Sequence, residues 1–213
     1  MEDELLKIFD QNRNSIGVAT RKDVHRLGYW HEAFHCWFGS NESGNDYIYL
    51  QIRSENKKDY PNLIDITAAG HLLATETVED GVREIKEELG IEVDYSELIS
   101  LGTIHYSVKR DNFIDNEIAH VFLYMSEHKF TDYRLQKEEV SGIVRAKLID
   151  FSQLWTGEKS DVLIEGFEID HEEKPIFFSE KVTKSAFVPH ESSYYESIIN
   201  GMFSNIHEKK SLL

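Results

Sequence analysis

Short apolar-rich or alternating segments in the first half of the chain predict strands. Residues 33–38 are rich in aromatics and predict a buried strand, and residues 47–53 alternate as its returning partner. Between them, residues 39–46 contain the glycine, serine and asparagine typical of a hairpin loop. The segment up to Asp10 predicts a short strand or helix, and residues 15–21 predict a further strand.

A helical period of apolar residues predicts the best-defined helix over residues 78–89. Its apolar face comprises Val82, Ile85 and Leu89. Thr77 is placed to cap the start of this helix, with Asp80 as the reciprocal partner three residues on. Gly90 stands where a left-handed C-terminal cap belongs.

The second half of the chain predicts more strands followed by a terminal helix. Strand-like runs cover residues 98–108, 116–125, 139–149 and 161–169, and helices are predicted over residues 149–157 and 192–206. This order indicates a mixed sheet with helices packed on it. We expect a main domain over residues 1–157, including the N-terminal strand and hairpin, and a C-terminal extension over residues 158–213 whose helix packs on that domain. The apolar face of that helix needs a partner within the chain or across a homodimer.

Composition and charge exclude several classes of protein. The chain has 213 residues, and 39 acidic against 23 basic side chains give a net charge of −16, which disfavours binding to nucleic acid or to acidic membranes. Hydrophobic residues make up 40% of the chain, enough to build a core. Cys36 is the single cysteine, so an internal disulfide is excluded. With no apolar run of membrane-spanning length and no signal-peptide pattern at the start, we expect a soluble cytoplasmic protein.

Three glutamates on the predicted helix point to metal chemistry. Glu84, Glu87 and Glu88 are three and four residues apart, so they lie within one helical patch. Like charges at these spacings destabilise a helix unless a cation lies between them, and Mg²⁺ or Mn²⁺ prefers carboxylate oxygen. Arg83 precedes Glu87 by four residues and can hold that carboxylate. A single pair of glutamates would more simply be a solvated face.

The surrounding residues make the pattern far more specific, because the run GHLLATETVEDGVREIKEELGI closely resembles the Nudix hydrolase box. The matching positions are Gly70, Glu76, Arg83, Glu84, Ile85, Glu87, Glu88, Gly90 and Ile91. Six residues rather than the usual seven separate Glu76 from Arg83, which puts the position of Glu76 in doubt. Counted back from Gly90, the first glutamate of the box would fall on Thr75.

The Nudix resemblance implies both a fold and a reaction. The fold is of the α/β (α+β) class, an α/β/α sandwich around a mixed β-sheet. The reaction is hydrolysis of a small-molecule diphosphate with Mg²⁺ or Mn²⁺. Arg83, Glu84, Glu87 and Glu88 would be the catalytic residues, the three glutamates would bind the metal, and the identity of the general base stays open. Gly70 would belong to the substrate-binding part of the box.

The flanks of the box resemble one branch of the family, isopentenyl-diphosphate isomerase. That resemblance implies a second metal site at His25, His31, His71, Asp115 and Glu117, and diphosphate contacts from Arg53, Lys57 and Lys58. Ala69 stands where the isomerase has an essential cysteine, and alanine cannot transfer a proton. The simpler interpretation is that His25 and His31 are structural and that the basic residues form a solvated loop.

Three hypotheses follow from these residues. The leading one is a Nudix hydrolase that cleaves the diphosphate linkage of a small organic, nucleoside or other, derivative. The second is an isopentenyl-diphosphate isomerase-like enzyme, and the third is a diphosphate-binding module without catalysis. The group beyond the diphosphate stays open among nucleoside, prenyl, thiamine and sugar.

Overall fold

Strands and short helices succeed one another along the chain. The computed structural model describes residues 2–110 and 113–211. The strands are β1 (Leu5–Phe9), β2 (Ser15–Thr20), β3 (Trp30–Glu42), β4 (Asn45–Arg53), β5 (Ile64–Asp65), β6 (Ala68–His71), β7 (Ile99–Arg110), β8 (Phe113–Met125), β9 (Val140–Lys147), β10 (Val162–Ile169) and β11 (Pro175–Val182). The α-helices are α1 (Arg21–Leu27), α2 (Arg83–Leu89), α3 (Leu148–Thr156) and α4 (Ser192–Ser211).

The long strand β3 organises one mixed sheet. Along one edge β3 pairs in parallel with β8, from Trp30 opposite Asn116 to Gly39 opposite Met125. Along its other edge β3 pairs first with β6 and then, beyond Phe38, with β4. Beyond Tyr49, β4 leaves β3 and pairs with β5, while its opposite edge pairs with β9 from Tyr47 to Arg53. The short strands β5 and β6 therefore lie where β3 and β4 separate.

Helices cover both faces of the sheet, which confirms the α/β/α sandwich. Alternate residues of β3 face opposite layers because successive side chains of a strand point to opposite faces. Phe34 and Phe38 pack in the layer that contains Ile85 of α2. Trp37 packs in the other layer, with α3 and α4.

The C-terminal strands and helix belong to this same sandwich. Strand β10 pairs with β9 and β11, so both strands extend the central sheet. Helix α4 buries its apolar face against the chain's own second layer, where Tyr195 stacks on Trp155 at a centroid distance of 3.7 Å. The partner that this apolar face needs is thus supplied within the chain.

Two local predictions were wrong, each at an element boundary. The predicted loop over residues 39–46 is a two-residue turn at Ser43 and Gly44, whose φ values of 50° and 82° match the tight turns that join twisted strands. The helix predicted from residue 78 begins with a 3₁₀ turn, Glu79–Val82, and becomes α-helical at Arg83. The Asp80 carboxylate accepts from the Thr77 amide and hydroxyl, both at 2.8 Å, and this bond fixes the 3₁₀ turn.

Helix C-caps provide a test of the packing. Gly90 ends α2 with φ 70° and Gly157 ends α3 with φ 82°, a left-handed conformation that costs a non-glycine residue about 1–2 kcal/mol. A Cβ on Gly90 would lie 2.5 Å from Arg134 Cβ, whereas one on Gly157 would meet nothing within 4 Å. We expect Gly157→Ala to lower the free energy of unfolding by about 1–2 kcal/mol. Gly90→Ala should lower it by at least about 1 kcal/mol more than Gly157→Ala does, because the new Cβ would also clash with Arg134. Urea unfolding measures both, and equal losses would contradict the close packing at Gly90.

Candidate active site

A cavity of about 540 Å³ opens where β3 and β4 separate. Its walls come from the start of β3, from β5 and β6, from α2, and from the facing strands β7 and β8. The acidic residues of α2 line it together with His25, His35 and His71, so residues far apart in sequence meet in one place. The split between two sheet strands is what creates this space.

Three consecutive residues of β6 dock the acidic helix. The Ala69 amide donates to Glu88 Oε2 at 3.1 Å, and the His71 carbonyl accepts from Arg83 Nη2 at 3.2 Å. Between them, a Cβ on Gly70 would lie only 2.2 Å from the carboxyl group of Glu84. Glycine is therefore required at position 70 for Glu84 to enter the cavity, since any side chain there would displace the carboxylate.

Arg83 gathers the acidic residues of the box. Its guanidinium contacts Glu76 at 2.5 Å, Glu84 at 2.6 Å and Glu87 at 3.1 Å. Glu76 also accepts from the Leu73 amide at 2.7 Å. The shortened loop therefore still brings Glu76 to Arg83, and Glu76 lines the cavity.

The three glutamates of α2 differ in exposure. Burial raises the pKa of Glu84 to about 7 against the opposing charge of Arg83. Burial, reinforced by the negative charge of Glu84, raises the pKa of Glu88 well above its usual value. Glu87 also lines the cavity, but its side chain is 54% exposed. Two buried carboxylates side by side are costly as anions, and a bound cation would remove that cost.

A second cluster brings together four residues from four different elements. His25 from α1, His31 from β3, His71 from β6 and Asp115 from β8 each offer a ligand atom, and these atoms lie within 4.8 Å of one another. Glu117 is next to the cluster, with Oε1 3.8 Å from His71 Nε2. The resemblance-based set is thus brought together, and all of its members except the fully buried His31 line the cavity.

The ligand atoms of this cluster suit a metal ion. Asp115 Oδ1 lies 3.5 Å from both His25 Nε2 and His31 Nε2, and in the part of the chain that the structure describes these three buried atoms make no closer polar contact that would satisfy them. His31 Nδ1 lies 3.2 Å from the Tyr29 carbonyl, to which only an N–H can donate, so the lone pair of His31 is on Nε2. Burial lowers the pKa of His31 and that of His71, which favours the neutral imidazole that metals bind. Buried nitrogen and oxygen lone pairs that converge on one point fit a divalent cation.

The predicted phosphate-binding residues separate into two groups. Arg53 and Lys57 line the cavity, where Arg53 pairs with Asp65 at 2.8 Å and Lys57 pairs with Glu139. Lys58 lies outside the cavity wall, 80% exposed and paired with Glu2. A role for Lys58 therefore receives no support from its position.

Several residues at the site were missed by sequence reasoning. His35 Nε2 lies 3.2 Å from Glu117 Oε2, and the Tyr194 hydroxyl of α4 lies 2.8 Å from His35 Nδ1. His190, also from the C-terminal part, hydrogen-bonds to Asp65 at 2.8 Å. Polar residues this far apart in sequence form no local pattern that could predict their contact. The one available signal was the aromatic strand that contains His35, because it predicted that this residue is buried.

Comparison with known proteins identifies the class. The NUDIX domain family model matches residues 29–166, more than half of the chain. An uncharacterized Nudix hydrolase of Clostridium acetobutylicum is 36% identical over 96% of this chain and 100% of its own length. This chain belongs to the Nudix family, and the expectation of an enzyme of the pyrophosphohydrolase class is thereby confirmed.

Two further similarities refine this result. An isopentenyl-diphosphate Delta-isomerase of Photorhabdus laumondii is 31% identical over 57% of this chain and 66% of its own, in line with the isomerase-like branch. The crystal structure of DR0079 from Deinococcus radiodurans has a TM-score of 0.57 at 18% identity, covers 73% of this chain and 91% of its own, and supports the fold. Among the residues described by the structure, no helix has the length and apolar character to cross a membrane.

The buried bond between α4 and His35 gives a testable prediction for stability. Tyr194→Phe removes the hydroxyl that contacts both His35 Nδ1 and Trp37 Nε1, leaving two buried polar atoms unpaired. We expect the free energy of unfolding to fall by about 1–3 kcal/mol. The matched control is Tyr124→Phe. The Tyr124 hydroxyl contacts the partly exposed His128, so we expect its removal to lower the free energy of unfolding by at most about 1 kcal/mol. Equal effects in urea unfolding would contradict a buried role for the Tyr194 hydroxyl.

Proposed function

We propose that this protein is a Mg²⁺- or Mn²⁺-dependent hydrolase that cleaves the diphosphate linkage of a small organic, nucleoside or other, diphosphate derivative. The observation that carries the proposal is the position of Glu84, whose side chain is 13% exposed, next to the buried Glu88 in a cavity that also contains Arg53 and Lys57. Such carboxylates are costly as anions, and a bound cation would add to the compensation that Arg83 gives to Glu84. Hard divalent cations bind carboxylate oxygen and leave positions open for phosphate and water.

The residues of the cavity would have different roles in such a reaction. Glu84, Glu87 and Glu88 would hold the metal, which when bound neutralises phosphate charge and makes water a better nucleophile. Arg83 fixes the carboxylates by its ion pairs to Glu84 and Glu87. Arg53 and Lys57 supply positive charge to the phosphate oxygens, which accept charge-assisted hydrogen bonds.

We further propose that His25, His31, His71 and Asp115 hold a second divalent ion, with Glu117 beside it. The support is the set of buried, unpartnered atoms that point to one another in this cluster. Imidazole and carboxylate ligands together suit Mn²⁺ or Zn²⁺. The ion would bind the part of the substrate that lies next to these histidines.

An isomerase reaction is the less favoured alternative. Ala69 lines the cavity where a proton-transferring cysteine would be needed, and a methyl group carries no transferable proton. Cys36 cannot replace it, because the thiol is fully buried in the layer on the α2 face and burial raises its pKa.

A single buried cysteine also agrees with the proposal of a cytoplasmic, reducing location.

Substitution of a buried box glutamate tests the proposed hydrolase. Glu88→Gln keeps the shape of the side chain but removes the charge that would bind the metal. We expect metal-dependent release of product from diphosphate substrates to fall at least about 100-fold, since a catalytic metal supplies several kcal/mol. The matched control, Glu92→Gln, changes an exposed glutamate paired with Lys86 just after the same helix and should keep full turnover. Turnover by Glu88→Gln at the wild-type rate would refute the assignment.

Metal titration tests the histidine site separately. His31→Asn removes one inward-facing nitrogen, so we expect calorimetric titration with Zn²⁺ to lose the tight equivalent that the wild-type chain binds. His105→Asn, at an exposed histidine beside Trp30, is the control and should bind Zn²⁺ as the wild type does. Identical titrations for His31→Asn and wild type would show that the histidines are structural.

A further inference from the structure

The segment that precedes α4 forms part of the cavity wall. The Val188 amide donates to the Ile64 carbonyl at 2.9 Å, which ties this segment to β5 at the base of the cavity. Val188 and His190 both line the cavity. Neither residue belongs to the box or to the histidine cluster, and both lie beyond residue 166, where the matched family domain ends.

Asp65 determines which nitrogen of His190 carries the proton. Asp65 Oδ2 accepts from Arg53 Nη1 at 2.8 Å, and Oδ1 accepts from the Ile66 amide at 2.9 Å. The charge of Arg53 and the lowered pKa of Asp65 make it an ionised carboxylate, which can only accept. The 2.8 Å contact between Asp65 Oδ1 and His190 Nε2 is therefore an N–H donated by His190.

The other nitrogen of His190 is a buried atom. With Nε2 protonated, Nδ1 of the neutral ring is a hydrogen-bond acceptor. Among residues 2–110 and 113–211, Nδ1 has no hydrogen-bond partner, and the residue itself lines the cavity. The rings of Tyr106, Tyr194 and Tyr195 lie 5.2, 5.1 and 5.5 Å from the imidazole and hold it in place.

The partners of Asp65 hold it as an anion. Arg53 supplies a positive charge to the Asp65 carboxylate at 2.8 Å. Burial raises the pKa of Asp65, but the hydrogen bond from His190 and the nearby charge of Arg53 outweigh it, and the net pKa is lowered. Asp65 therefore stays an acceptor across the neutral range.

We propose that His190 is a specificity-determining residue whose Nδ1 accepts a hydrogen bond from a hydroxyl or N–H group on the organic part of the substrate. An ionised diphosphate presents only acceptor oxygens, so the donor must come from the group beyond it. The substrate class is thus a diphosphate linked to a hydroxylated group, such as a sugar or nucleoside, rather than to a hydrocarbon. This inference rests on the proposed hydrolase function and narrows its substrate. Sites with a built-in hydrogen-bonding group discriminate strongly against analogues that lack the matching group.

The test compares two kinds of diphosphate in the wild-type protein and in His190→Phe, which keeps a ring but removes both the Nδ1 acceptor and the N–H donated to Asp65. The hydroxylated probe is the best substrate of a panel of nucleoside diphosphate sugars, and the hydrocarbon probe is isopentenyl diphosphate. For the hydroxylated probe we expect KM to rise about 10- to 100-fold with kcat changed less than about threefold, as for loss of one buried hydrogen bond. For the hydrocarbon probe KM should rise at least about threefold less, because that probe loses only the support that His190 gives to Asp65 and Arg53.

A conservative variant separates a specific contact from a structural effect. His190→Gln can still present an acceptor oxygen, so its KM for the hydroxylated probe should lie between the KM of the wild type and that of His190→Phe. Equal losses on both probes, no loss on either, or turnover of the hydrocarbon alone by the wild type would overturn the inference. Absence of turnover for every diphosphate would instead count against the proposed hydrolase.

A spectroscopic measurement on the wild-type chain tests the same point without turnover. In ¹⁵N-histidine-labelled protein, the His190 signals are assigned by their loss in His190→Phe or, if that variant does not fold, in His190→Gln. At pH 7.5 we expect the neutral ring with its proton on Nε2 and an unprotonated Nδ1. A proton on Nδ1, in either a neutral or a doubly protonated ring, would overturn the inference, because Nδ1 could then only donate.

Discussion

The contact between the short strand β6 and the acidic helix α2 is the constraint on which the site depends. Gly70 has no side chain, and the space this leaves is filled by the carboxyl group of Glu84. The flanking backbone groups of Ala69 and His71 bind Glu88 and Arg83 in turn. Because the side chain of His71 also joins the histidine cluster, the same four-residue strand positions both sets of metal-binding candidates.

The architecture of the sheet explains why so much chemistry gathers at this strand. The strands β3 and β4 separate, β5 and β6 occupy the gap, and the cavity opens there. The C-terminal part then supports the site from the opposite face. Tyr194 reaches Glu117 through His35, and His190 reaches Arg53 through Asp65. Polar groups buried this deeply hold a fixed arrangement only when each has its partner, which is why the extension matters to the site.

The sequence predicted the parts of the protein that depend on local spacing. The helix with its Gly90 cap, the mixed sheet with packed helices and the acidic box could be predicted because helical period, capping and motif spacing are properties of short segments, and the resemblance to the Nudix box implied the sandwich. The helix α1, only seven residues long, was not predicted, and neither was the tight turn at Ser43. The partnerships of His35 with Tyr194 and of Asp65 with His190 span 159 and 125 residues, and no local pattern encodes such distant contacts. The histidine cluster was expected only through the resemblance to the isomerase branch.

The most direct test is a crystal structure of the protein grown with Mn²⁺, with the ion located by anomalous scattering. If the buried carboxylates of α2 exist to bind a cation, an anomalous peak should lie within coordinating distance of Glu84 and Glu88 while β6 keeps its contact at Gly70. A crystal saturated with Mn²⁺ in which both carboxylates stay unliganded would contradict the metal-dependent function. The expected peak would place the catalytic metal in the gap between β3 and β4.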